Sequence, residues 1–94
     1  MKLWLLRPAD GLKLNDNPWE PRYDKAFGFV VRAETEEQAR TLAHADAGDE
    51  NRGVFLGRKI ADTDQPWRDA KYSTCVELLT EGPAEVVLKD FASA

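Results

Sequence analysis

The stretch Ala26-Phe-Gly-Phe-Val-Val-Arg-Ala33-Glu-Thr35-Glu-Glu-Gln38 switches from one periodicity to another, and that switch decides the fold. Phe27, Phe29, Val31 and Ala33 alternate with Gly28, Val30 and Arg32, which is the two-residue period of a strand rich in β-formers. Two residues later, Thr35 and Gln38 have the spacing of a capping box. The Thr35 hydroxyl accepts from the third helical amide while Gln38 reaches back, and Glu36 and Glu37 meet the positive end of the helix dipole. A strand over 26–33 therefore runs directly into a helix over about 35–47. Ala39, Leu42, Ala43 and Ala47 supply the inward stripe of that helix, and Gly48 supplies a stop.

Working outward, residues 2–7 form an apolar, β-compatible run that Pro8 and Asp10-Gly11 end. The segment 9–25 is a long loop interrupted by Pro18 and Pro21. Residues 48–71 form a second long connection, with a short apolar Val54-Phe55-Leu56 and a helical turn opened by Pro66. Beyond it, Tyr72–Leu79 and Glu85–Phe91 read as strands joined by Thr80-Glu-Gly-Pro-Ala84. The pattern β-β-α-β-β predicts one α+β domain, 1–94, with a four-stranded, mainly antiparallel sheet of order 2-1-3-4 and one main helix on one face. In that topology the loops preceding the second and third strands open at the same end of the sheet.

Those two loops share a chemistry. Pro18-Trp19-Glu-Pro-Arg22-Tyr23-Asp24-Lys25 and Pro66-Trp67-Arg68-Asp69-Ala-Lys71-Tyr72 each hold Pro-Trp, an Arg, an Asp, a Lys and a Tyr. Trp, Tyr and Arg dominate binding hot spots because they offer large area and a polar handle. The expected partner-binding residues are thus Trp19, Arg22, Tyr23, Trp67, Arg68 and Tyr72. The competing reading is that these rings fold back to cap the core of a small domain.

A chain of 94 residues builds one modest core, and its 43% apolar and 32% charged residues are those of a chain that folds. The net charge of −4 comes from interleaved signs. No basic stripe of the kind that displaces counterions is present, so nucleic acid is not an expected partner. The lone Cys75 has no Cys or His at metal-ligand spacing and fits a reducing cytoplasm. The start Met1-Lys-Leu-Trp-Leu-Leu-Arg-Pro8 is too short in apolar residues for a signal core or membrane span.

Chemistry-bearing motifs fail individually. Gly48-Asp-Glu-Asn-Arg-Gly53 has P-loop glycine spacing, but Val54-Phe55 stands where Lys and Ser/Thr are needed. Asp62-Thr-Asp64-Gln lacks the glycine and closing Glu of a calcium loop and reads as a turn. His44 and Cys75 have no third group to orient them as a nucleophilic pair. The expectation is a protein that is not an enzyme and takes no cofactor or metal.

If Phe27, Phe29, Val31, Val76 and Leu78 face the helix, the second sheet face carries Val30, Cys75, Leu79, Val87 and Phe91, with Trp4 or Leu5 according to register. Such a face is too apolar to be bare, and either residues 48–71 or a second subunit covers it.

Met1-Lys-Leu-Trp-Leu-Leu-Arg-Pro8, Tyr23-Asp-Lys-Ala-Phe-Gly-Phe-Val-Val-Arg-Ala-Glu-Thr-Glu-Glu-Gln-Ala-Arg40, Lys71-Tyr-Ser-Thr-Cys-Val-Glu-Leu78 and the ending Lys89-Asp-Phe-Ala-Ser-Ala94 together resemble small uncharacterised proteins encoded by bacteria and their phages or prophages. The likeness spans most of the chain outside 48–66, and that group has no assigned activity to carry over. It implies a phage-accessory setting, for example an inhibitor of a host defence complex. The leading expectation is a non-enzymatic protein-binding module. The alternatives are an assembly protein self-associating through the second sheet face, and a small-molecule sensor.

Overall fold

The computed structural model describes residues 1–13, 16–19, 27–51, 53–55 and 57–86. The elements are β1 (Lys2–Pro8), β2 (Phe29–Ala33), α1 (Glu36–Ala45), a 3-10 turn (Asp49–Asn51), β3 (Val54–Phe55), β4 (Arg58–Lys59) and β5 (Ser73–Leu78). β1 is central, with β2 and β5 antiparallel on its two sides. The first strand therefore sits between the second and the last of this sheet, and the architecture is α+β, with one α-helix among the described residues. The expected fourth strand, Glu85–Phe91, falls mostly outside the described residues. Residues 79–86 form no strand, and 87–94 lie outside the described residues.

The helix begins as its residues dictate. Thr35 is the N-cap in extended conformation, and its hydroxyl accepts from the Gln38 amide at 3.2 Å. Gln38 reaches back one residue further than the ideal box, accepting from the Glu34 amide at 2.8 Å. The other end differs from expectation. α1 stops at Ala45 and is capped by Asp46, not by Gly48. The Asn51 side chain donates to the carbonyl of His44 at 2.9 Å and the Asp46 amide takes those of Leu42 and Ala43. The terminal carbonyls are thus satisfied without a left-handed glycine.

Register assigns the faces. Leu6 stands opposite Phe29 and Cys75, and Trp4 opposite Val31 and Glu77. Leu6 is fully buried, with Phe29, Val31, Trp4 and Cys75 packed around the cluster it forms with Ala33, Ala39 and Ala43. Phe29 and Val31 face the helix as expected, but in β5 the parity is reversed. Cys75 points inward while Val76 and Leu78 point out, because the strand starts from a buried Ser73, and a one-residue slip exchanges the faces. Phe27 precedes β2 and is 67% exposed.

The alanines of α1 let the helix lie close to the sheet but cannot fill the space beside it. The long connections do that. Residues 53–61 include the small β3–β4 hairpin, whose turn contains Gly57 at φ 78°. Gly53 is pressed so closely that a Cβ there would stand 2.9 Å from the carbonyl oxygen of Ala61. The segment opened by Pro66 forms two successive turns, closed by Arg68 N–H to Gln65 O (3.0 Å) and Tyr72 N–H to Asp69 O (3.0 Å).

Candidate interaction surfaces

Both long loops reach the same end of the sheet, because β2 starts beside Leu6 and β5 starts beside Pro8. There the indoles of Trp19 and Trp67 meet edge to face, with centroids 4.8 Å apart. Phe29 joins Trp67 at 5.0 Å. Trp67 is fully buried, Trp19 6% exposed and Tyr72 2% exposed. Their polar ends are also engaged: Trp67 Nε1 donates to Glu50 Oε1 (3.1 Å), and Trp19 Nε1 to the carbonyl of Tyr72 (3.0 Å). Of the six residues expected to contact a partner, these three lie together as part of the core, as the capping alternative describes. Arg68 is exposed and donates to Gln65. Arg22 and Tyr23 lie outside the described residues.

Two polar clamps fasten this end, and composition did not single out either. Asp16, only 8% exposed, accepts from the Asp62 amide (2.9 Å), Lys71 Nζ (2.7 Å) and the Tyr72 hydroxyl (2.8 Å). The Lys71 hydrogen bond, with help from the Asp62 amide, holds its carboxyl at about 2, below the ordinary 3.8. Burial, then the bond to Asp16, raises the Tyr72 phenol. The second clamp is Arg40, 7% exposed. Its guanidinium donates to Trp67 O (3.1 Å), Ser73 Oγ (2.8 Å) and Ser73 O (3.2 Å), while Nε pairs with Glu36 at 3.2 Å. The i,i+4 spacing of Glu36 and Arg40 was the one sequence signal available for it.

The carboxylates of the Asp62–Asp69 depression, about 460 Å³ in volume, brace the loop they belong to. Asp64 accepts from the Gly53 amide (2.8 Å), Asp69 from the Lys71 amide (2.9 Å), and Asp62 pairs with Lys59. Among the described residues no group of three or more His, Cys, Asp or Glu is placed to hold a metal ion. Cys75 lies partly covered on the helix side of the sheet, where burial raises its thiol. No helix among the described residues is long and apolar enough to cross a membrane.

The opposite sheet face is different in kind. Val30, Leu5 and Val76 form one row across the three strands, flanked by the row Arg32, Leu3 and Leu78. Val30 is 55% and Val76 56% exposed. With both more than half exposed, the expectation that residues 48–71 cover this face is not met for these two side chains. The loops close the helix side instead, where the alanine stripe leaves room.

No protein-family model, curated protein or solved structure matches this chain.

Proposed function

We propose that this chain is a non-enzymatic protein-binding module whose contact surface is the uncovered sheet face. The observation behind this reading is the Val30–Leu5–Val76 row, whose outer two residues are more than half exposed and whose central Leu5 is half-buried. An antiparallel sheet with one solvated face ordinarily alternates apolar-in with polar-out, whereas here aliphatic side chains of all three strands stand outward and adjacent. The Trp19 and Trp67 loops serve it indirectly, by closing the other side and fixing the sheet. In the phage-accessory setting that the sequence resembles, the partner is a host protein.

Affinity capture from a host-cell lysate tests the reading when wild type is compared with Val76→Asp at matched melting temperature. A protein retained by the first and lost by the second supports it. Equal capture by both sinks it. The same open row favours one competing use, self-association, which sedimentation at high micromolar concentration decides: a monomer there removes it.

A further inference from the structure

The sheet has a second open feature, its outer edge at β2. We infer that β2 takes an added strand from a partner protein, an extended segment that alternates apolar residues with an acid set against Arg32. This surface lies beside the sheet face proposed above and stands independently of it.

β2 ends the strand order, bonded only to β1 among the described residues. No other hydrogen bond or ion pair engages Val30, Val31 or Arg32 there. Every second residue of such a strand turns its amide and carbonyl away from the sheet, and only another extended backbone matches that spacing. A helix satisfies its own main chain, so an edge selects a strand. Natural edges that must not pair are blunted by proline, lysine or a bulge. Phe29-Val-Val-Arg-Ala33 has no proline or lysine, and its register with β1 is unbroken from Phe29 to Ala33. The other edge is less suited. β5 carries Glu77, its first carbonyl, that of Ser73, is taken by Arg40, and residues 79–83 line a depression with Glu77 and Leu78 at its far end.

The helix supplies a second observation. α1 lies chiefly over β2, and Arg40 leaves it toward β5, where it bonds Ser73. Leu42, two residues on, is turned about 160° away from Arg40, so it leaves the opposite flank, above the outer edge of β2. It is the one large apolar side chain of α1 and is 46% exposed. A strand added about 4.8 Å beyond β2 lies beneath it, and the leucine then covers the side chains that this strand turns toward the helix.

Edge and leucine together prescribe the segment. Antiparallel addition is the more stable kind, and in it the residue facing Arg32 precedes the residue facing Val30 by two. Asp or Glu suits the first, since Arg32 is exposed, and a β-branched residue suits the second. The residues that alternate with them turn apolar side chains beneath Leu42. A second copy fits less well: β2 paired with itself about Val31 sets each Arg32 opposite a Val30, and neither arginine meets a carboxylate.

The test pans a displayed library of random peptides about ten residues long, enough for one strand, against the full chain. The expected winners alternate apolar residues with an Asp or Glu followed two residues later by Val, Ile or Thr. As free peptides they should lose roughly tenfold or more in affinity to Leu42→Glu, while Leu42→Met and Val76→Asp bind as wild type does. Arg32→Glu should replace the selected acid by Lys or Arg. N-methylation of every second peptide residue reads the main chain: one alternate set should abolish binding and the other should be tolerated, because only one set of amides faces β2. If Leu42→Glu lowers the melting temperature, the methylated peptides, which leave the protein unchanged, decide alone. No enrichment, winners with an i, i+3, i+4, i+7 stripe, unchanged affinity in a folded Leu42→Glu, an unchanged selection with Arg32→Glu, or tolerance of both methylated sets overturns the inference. Loss of peptide binding in Val76→Asp moves the peptide to the open face and overturns it too. A dimer in sedimentation that Leu42→Glu abolishes gives the edge to a second copy, with the same result. Should selection fail while Val76→Asp still abolishes capture from lysate, only the added strand falls and the sheet-face reading stands.

Discussion

Replacing Asp16 by Asn should remove much of this protein's sensitivity to acid, and the size of the effect follows from one carboxylate. Asp16 is held at about 2 in the folded chain against an ordinary 3.8. The folded state therefore binds this proton less tightly than the unfolded chain. Stability from the site is fully present above about pH 4 and is lost as pH falls toward about 2. At about 1.4 kcal/mol per pH unit the full shift corresponds to about 2 kcal/mol. Lys71, its closest partner, has a side chain 59% exposed, and solvent screening reduces the usable part to about 1–2 kcal/mol. The assay is urea unfolding followed by tryptophan emission at several pH values, since Trp19 and Trp67 leave a dry environment together. Wild type should lose about 1–2 kcal/mol more than Asp16→Asn between about pH 5 and 2. At neutral pH the variant should be weaker by about 1–3 kcal/mol, because Asn loses the ion pair and leaves a buried donor unpaired. A variant equal to wild type at neutral pH, with the same acid limb, would refute the clamp.

Other expectations concern the same scaffold. Tyr72→Phe should flatten the alkaline limb: the raised phenol gives stability that is present below about pH 10 and lost as pH rises through its folded value, so denaturation between about pH 9 and 12 separates the two proteins. Trp67→Ala should cost about 3–5 kcal/mol without any partner present, since the ring is fully buried; a melting temperature within a few degrees of wild type would mean that the ring is not core. Gly53→Ala should destabilise measurably in urea unfolding, because its Cβ would meet the Ala61 carbonyl at 2.9 Å, while Gly82→Ala, with nothing within 4 Å, should not. Cys75 should react with a thiol reagent at neutral pH more slowly than a free cysteine, burial having raised its thiol.

What was legible in the sequence is what local chemistry determines. The cap at Thr35 and the period-two run at Phe29–Ala33 carry their own signals, and both elements form where those signals stand. The meeting of the two Trp loops also followed, once the first strand was placed between its neighbours. The facing of β5 did not follow. Thr74-Cys-Val-Glu-Leu78 alternates without a decisive polar face, and its parity is set from outside by Arg40 and Pro66, which hold Ser73 inward at 2.8 Å each. The roles of Asp16 and Arg40 were hidden for the same reason. Apart from Glu36, their side-chain partners lie from 27 to 56 residues away in sequence, and no periodicity reports such distances.

The two sides of the sheet are linked by that geometry. α1 presents alanines, so the helix side has space that only large rings can fill, and both long loops are drawn there to deliver them. Asp16 and Arg40 then tie the loops to β5 with bonds whose donors and acceptors are largely buried. The rings of Trp19 and Trp67 that first resemble a binding site are therefore part of the core, and the contact surface proposed above is a different one. They close one side, while on the other Val30 and Val76 stand more than half exposed with the half-buried Leu5 between them.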